Sequence, residues 1–255
     1  AVYTGLALPG TLRLDDLVVV VRRHPELPLH RGDRPPTHAH RVEPDIGAEE
    51  RTRVRRRFER SKIRLVCFGT TCEFHSPDAA VRKQQVETGR KFVDLAHDTG
   101  ALGIKVRPNA LPKEVPPETT IRHIAESMRE LADYGAGRGI EIWLEVHGRD
   151  TSDPKICAEI VRQAKHEYAG LCWNSNPGPQ EVVNGSVKAS FELLRPWIKH
   201  VHINELANDY PWRELFTLLR QARYDRYTMM EAQESKEPER FLRWYRALWR
   251  ELNRP

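Results

Sequence analysis

Glu145, Asn174, His202 and Glu231 each close a short β-rich run, and they follow one another at intervals of 29, 28 and 29 positions. Three of the runs read IEIWLEVHG, IKHVHINEL and DRYTMMEAQES; the fourth, YAGLCWNSNP, is less apolar but ends in the same way. A strand, a helix and two connecting turns take about 30 residues, so the interval is that of successive units of an eight-fold βα barrel. Polar residues at the carboxyl ends of such strands converge over one mouth. Three of these four are carboxylate or imidazole, the groups that hold a divalent ion or move protons.

The rest of the chain is read against that interval. Its 255 residues suit one α/β barrel better than two ordinary domains, and a single (β/α)8 TIM barrel over residues 1–255 is expected. Apolar periodicity alternates between about two and about 3.6, as strands alternating with helices require. Strands are expected at 2–7, 27–30, 63–68 and 102–108, and then at the four runs above. Helices are expected at 14–23, 48–60, 78–99, 121–136, 154–166, 187–194, 212–222 and 238–252. The polar stretch RGDRPPTHAHRVEPD follows the second strand, and its adjacent prolines enforce an extended loop. NALPKEVPPETT, after the fourth strand, is expected to cross the mouth as an ordered excursion. No tandem repeat is present, so the interval comes from topology.

Composition removes several function classes. With 30% charged residues, and LVVVV as the longest apolar run, no segment approaches the roughly 18 residues of a membrane span. No basic leader with an apolar core opens the chain, and a start at Ala1 suggests a trimmed or incomplete amino terminus; a cytoplasmic protein is expected. Cys67, Cys72, Cys157 and Cys172 show neither CxxC nor zinc-site spacing and are expected to be reduced thiols. The net charge of +5 and the run RTRVRRRFER invite a nucleic-acid reading, but Glu59 interrupts the run and a solvated helix face is expected there. A modest positive charge equally suits an anionic small substrate.

The chemistry follows from the strand ends. Two carboxylates and an imidazole that face one another repel and lose solvation unless a cation compensates. Mixed oxygen and nitrogen donors suit manganese, magnesium, cobalt or zinc, with manganese the first expectation. Such an ion polarises a carbonyl and lowers the barrier to removing a neighbouring C–H proton. Glu145 and Glu231, opposed across a substrate, then serve as base and acid.

LEVHG, GLCWNSNP, KHVHINEL and the terminal unit from YPWRELFTLLRQARYDRYTMMEAQES into PERFLRWYRALWREL carry a resemblance. Over about the last 120 residues the chain resembles the xylose isomerase-like barrel superfamily of sugar phosphate isomerases and epimerases, and the first half does so only loosely. That superfamily includes ketose 3-epimerases, inosose dehydratases, hydroxypyruvate isomerases and dehydroshikimate dehydratases. The resemblance implies a metal held by Glu145, Asn174, His202 and Glu231, with the two glutamates also exchanging the proton. Asn174 stands where most members have Asp, which removes one negative charge from the site and weakens metal binding, and its amide nitrogen can instead donate a hydrogen bond to substrate. Asn204 stands where many have Lys, which weakens the case for a phosphorylated or carboxylated substrate there.

Other residues of the mouth are candidates for substrate contact. His147 lies two beyond Glu145 and Asn176 two beyond Asn174, on the same side of their runs; Arg107 ends the fourth strand. His38 and His40 fall in the loop after the second strand, Glu73 and His75 in the loop after the third. The aromatic helix FLRWYRALW is expected to pack on the barrel.

The resemblance points to a metal-dependent isomerase or epimerase acting on a sugar or polyol through an enediolate. The alternative is a dehydratase or lyase with the same first step, in which His147, His75 or His38 protonates a departing hydroxyl. A DNA-repair endonuclease of the same fold needs three metals and more acidic and histidine ligands than the asparagines of strand six allow. A sugar-binding barrel without catalysis has no need of two opposed glutamates. No nucleic-acid or membrane partner is expected, and a homo-oligomer is compatible with the resemblance.

Overall fold

The structure, a computed structural model, describes residues 2–6, 18–19, 42–61, 63–233 and 235–254. Its frame is an alternation of strands and helices: β1 (Val2–Leu6), β2 (Val18–Val19), α1 (Ala48–Glu59), β3 (Ile63–Glu73), α2 (Ala79–Thr99), β4 (Gly103–Arg107), α3 (Pro117–Ala136) and β5 (Glu141–Glu145). There follow α4 (Pro154–Ala164), β6 (Ala169–Trp173), α5 (Lys188–Leu194), β7 (Ile198–Ile203), α6 (Trp212–Gln221), β8 (Thr228–Met230) and α7 (Pro238–Leu252). One sheet runs in the order β1-β3-β4-β5-β6-β7-β8-β2. The six strands β3 to β8 are consecutive and parallel, the half-barrel that alternating βα units build.

Two features differ from a uniform eight-fold barrel. β1 pairs with β3 antiparallel, where a barrel of repeated βα units would have a parallel partner. Antiparallel pairing needs no crossover helix and is slightly the more stable per residue, so a sheet edge accepts it. Val18–Val19 form the short β2, parallel to β8, inside the span expected to be helical. An apolar run of valines is ambiguous in periodicity, and β-branching favours the strand. The expected strand at 27–30 lies outside the described residues, as do His38 and His40.

Several boundaries moved for local reasons. α3 starts at Pro117, earlier than expected, because proline at the first helical position lacks only an N–H that would have no partner there. β3 continues to Glu73, and Thr70 Oγ1 donates to the Lys105 carbonyl at 2.9 Å to hold its upper part on β4. Asp78 and Asp153 cap α2 and α4 by accepting from the backbone N–H two residues on, each at 2.8 Å.

Strand alternation divides the side chains between two faces. Ile104 and Val106, Ile142 and Leu144, Leu171 and Trp173, and Val201 and Ile203 face the helices in the main core. A second, smaller apolar cluster joins Val66 and Cys67 of β3 to the inward-facing Trp143, Cys172 and Met229. Gly103 makes room for it: a Cβ there would stand 2.8 Å from the Trp143 ring. All four cysteines are free and buried.

The amino-terminal end of the strands is closed by charge. Glu141 accepts from Lys199 Nζ at 2.7 Å, from both terminal nitrogens of Arg226 at 2.6 and 2.9 Å, and from Trp143 Nε1 at 2.9 Å. The basic run on α1 is a helix face without buried residues, where Arg51 pairs with Asp98 at 2.8 Å and Arg55 with Glu59 at 3.0 Å. The aromatic helix α7 packs through buried Tyr245 and Trp249, while Trp244 on its other side is exposed. Among the described residues no helix is long and apolar enough to cross a membrane.

Candidate active site

The carboxyl ends of β5 to β8 bring the four spaced residues together. Glu145 is the last residue of β5, Asn174 and Glu231 follow β6 and β8 directly, and His202 is the penultimate residue of β7. Parallel register does the alignment: Glu145 lies beside Cys172, Cys172 beside His200, and His202 beside Met229. Because alternate side chains share a face, Glu145, Asn174, His202 and Glu231 project inward above the apolar cluster. Backbone bonds extend the strands past their formal ends, with Val146 N–H donating to the Cys172 carbonyl at 3.0 Å and Glu231 N–H to the Ile203 carbonyl at 2.8 Å.

His202 Nδ1 is the point on which the others converge. Glu231 Oε2 lies 3.0 Å from it, Asn174 Oδ1 3.2 Å and Glu145 Oε1 3.5 Å. Donors set about 2.1 Å from a small divalent ion and at right angles lie about 3.0 Å apart. The spacing around His202 is therefore that of ligands sharing one ion, and the donor chemistry, two carboxylates, an amide oxygen and an imidazole, suits a hard or borderline cation. The residues present fit a divalent metal.

Sequence reasoning missed Lys105. Its side chain rises along the inner face from β4 and its ammonium donates to Glu145 Oε2, in a pair almost wholly removed from solvent. Burial alone would raise the pKa of Glu145; the Lys105 charge, followed by His202, overcomes it and holds the carboxyl well below the usual range. Burial pulls His202 down, but Cys172, Glu231 and Glu145 outweigh it and raise the ring well above an ordinary imidazole. Beneath it His200, stacked on Trp143 at 4.7 Å, is kept neutral by burial and by the neighbouring His202. A signal for Lys105 did exist: in GIKVR, a lysine between Ile104 and Val106 on a central strand must face inward and needs a carboxylate.

Asn174 is held from behind. Its Nδ2 donates to Asn176 Oδ1 at 3.1 Å, which leaves Oδ1 turned to His202. Asn176 Nδ2 donates to the Val146 carbonyl at 2.7 Å and to Glu181 Oε2 at 3.1 Å, and Tyr210 Oη donates to Glu181 Oε1 at 2.5 Å. Burial pushes the Glu181 carboxyl up to about 7, against the hydrogen bonds from Tyr210 and Asn176. The turn that makes this possible puts Ser175 at φ 51°, and Asn204 Nδ2 fastens it through the Asn174 carbonyl at 2.7 Å and the Ser175 carbonyl at 3.2 Å. Asn204 is thus part of the scaffold of the mouth.

The remaining candidates lie apart from this cluster. Arg107 Nη2 is 3.7 Å from Glu73 Oε1, and His75 Nδ1 is 3.9 Å from Glu73 Oε2, so these three form a loose group at the ends of β3 and β4. His147 has a buried Nδ1 with no hydrogen-bond partner, and its carbonyl accepts from Thr151 Oγ1 at 2.6 Å. The loop carrying it is pinned at Gly148, whose φ is 108° and where a Cβ would stand 2.2 Å from the Asn109 carbonyl oxygen. His38 falls outside the described residues.

Comparison with known proteins bears on the fold first. A family model described as xylose isomerase-like TIM barrel matches residues 31–250. A search of curated proteins found no match. Among solved structures, D-psicose 3-epimerase in the presence of D-fructose is similar at 17% identity and a TM-score of 0.64, over 78% of this chain and 73% of that one. 3-Keto-D-glucoside 4-epimerase from E. coli is similar at 15% identity and a TM-score of 0.64, over 82% and 86%. The probable 3-DHS dehydratase involved in petrobactin synthesis from Bacillus anthracis is similar at 14% identity and a TM-score of 0.61, over 81% and 82%. At these identities the likeness is one of fold.

Proposed function

The chain belongs to the xylose isomerase-like TIM barrel family, and we propose that within it the protein is a metal-dependent isomerase or epimerase of a keto-sugar or keto-polyol. The observation that carries this reading is the convergence of Glu145 and Glu231 on His202 Nδ1, at 3.5 and 3.0 Å, at the carboxyl ends of their strands. The names of the similar epimerases support the substrate class. Glu145, Asn174, His202 and Glu231 would hold the ion. When bound, such an ion polarises a substrate carbonyl and hydroxyl and so acidifies the intervening C–H.

The residues of the chain supply the rest. Glu145, kept ionised by Lys105, takes the proton from the carbon beside the carbonyl, giving an enediolate. Glu231, the less buried of the two and carrying a proton when substrate binds, gives that proton to the opposite side of the carbon, and exchange with solvent resets both carboxyls. The Asn176, Glu181 and Tyr210 chain fixes the Asn174 amide so that its oxygen faces His202, where it would help to hold an ion. Arg107 and His75, gathered around Glu73 at the ends of β3 and β4, would meet the far end of a substrate, and a single domain with a small-molecule partner suits the whole chain.

A second reading is favoured by His147, whose unpartnered buried Nδ1 could protonate a departing β-hydroxyl, making the protein a dehydratase. Incubation of the manganese-loaded protein with a panel of ketoses and keto-polyols separates the two. An epimer or isomer of unchanged mass is the expected product. Loss of water with a new ultraviolet-absorbing enone would establish the dehydratase, and no product from any member of the panel would remove both readings.

A further inference from the structure

Lys105 changes the electrostatics of the donor set. Its ammonium sits on Glu145 Oε2, while Oε1 is the oxygen nearer His202, and the lysine is 2% exposed. β4 is held in register there: Lys105 pairs with Trp143 on β5 and with Gly69 on β3, and its carbonyl accepts from Thr70. The lysine is therefore a built part of the floor rather than a surface side chain that folded inward. Two carboxylates against one ammonium, with an uncharged Asn174, leave one net negative charge among these side chains before His202 is counted.

We propose that Lys105 sets the metal affinity of this site: by occupying Oε2 of Glu145 beside an uncharged Asn174, it makes the divalent ion loosely held and exchangeable rather than permanently resident. The inference rests on the reading of the cluster as a metal centre. Its physical content is simple. An ion at the convergence point meets a fixed positive charge across one carboxylate, and in a buried site that repulsion is poorly screened. The same ammonium neutralises Glu145 before any ion arrives, so the strand ends keep their geometry without metal.

The test is titration of manganese(II) chloride into metal-free protein, followed by calorimetry and by loss of the free-ion electron paramagnetic resonance signal. Lys105→Met and Lys105→Gln are each expected to bind manganese at least about tenfold more tightly than the unsubstituted chain, the glutamine keeping a donor for Glu145. Asn174→Asp, which adds the missing negative charge, is expected to tighten binding to a similar extent. Unchanged or weaker binding in both Lys105 variants, with measurable binding in the unsubstituted chain, overturns the inference and leaves the metal centre standing. No binding by any of the four proteins overturns the metal centre as well. Where a Lys105 variant does not fold alone, recovery of its fold on adding manganese supports the inference, since the ion then replaces the lost charge; failure to recover contradicts it.

Discussion

Glu141 and Glu145 stand at the two ends of β5, both on its inner face and both paired with lysine, yet they are built for different ends. Glu141 is saturated: Lys199, Arg226 and Trp143 together supply four hydrogen bonds to its two oxygens. Glu145 has Lys105 on one oxygen and turns the other toward His202, Asn174 and Glu231. The same residue type on the same strand is a structural plug where every lone pair is satisfied, and in the proposed function a reactive group where one is directed into a cluster of other donors. Satisfaction of the carboxylate, rather than its burial, separates the two roles.

Substitution can break that contrast, and the largest effect falls on activity at Glu145. Glu145→Gln and Glu231→Gln are each expected to lower turnover by about 10²–10⁴, the usual worth of a positioned acid or base; assay of the purified variants against an active substrate checks this. Glu145→Gln also strands the buried Lys105 charge, and denaturant unfolding should show a loss of about 3–5 kcal/mol. Glu141→Gln should touch stability alone. Its partners are partly exposed, so a stability loss of about 2 kcal/mol with turnover unchanged is expected from the same two assays. A fall in turnover without a fall in stability would erase the distinction.

Glu181 sharpens the comparison from a third position, buried behind Asn174 rather than at either strand end. Its carboxyl is raised by burial from 4.5 to about 7 in the folded chain. Between those values the unfolded chain has released the proton and the folded chain keeps it, so stability is full below about pH 4.5 and is lost as the pH rises through about 7. The loss amounts to about 3 kcal/mol at most. Urea unfolding across that window should follow this slope, and Glu181→Gln should flatten it. A slope unaltered by the substitution would place the proton elsewhere.

Much of the site was legible because barrel strands repeat at a fixed interval and end on one side. Glu145, Asn174, His202 and Glu231 could be found from spacing alone, and the structure brings the other three around the His202 Nδ1. Lys105 was not found, because its pairing spans 40 positions and crosses from β4 to β5, outside the interval. The Glu181 and Tyr210 network was equally hidden, since both residues come from loops beyond the strand ends. The amino-terminal part is where the expected uniform barrel departs most from the described structure, with β1 antiparallel and Val18–Val19 extended. Short apolar runs carry too few residues for periodicity to choose between strand and helix.

The central claim is that two opposed glutamates exchange a substrate proton with solvent. Its most direct test is proton magnetic resonance of keto-sugars incubated in deuterium oxide with the manganese-loaded protein. The account predicts that deuterium enters at one carbon beside the carbonyl with the unsubstituted chain, and that none enters with Glu145→Gln or Glu231→Gln. Incorporation that persists in either variant would contradict it.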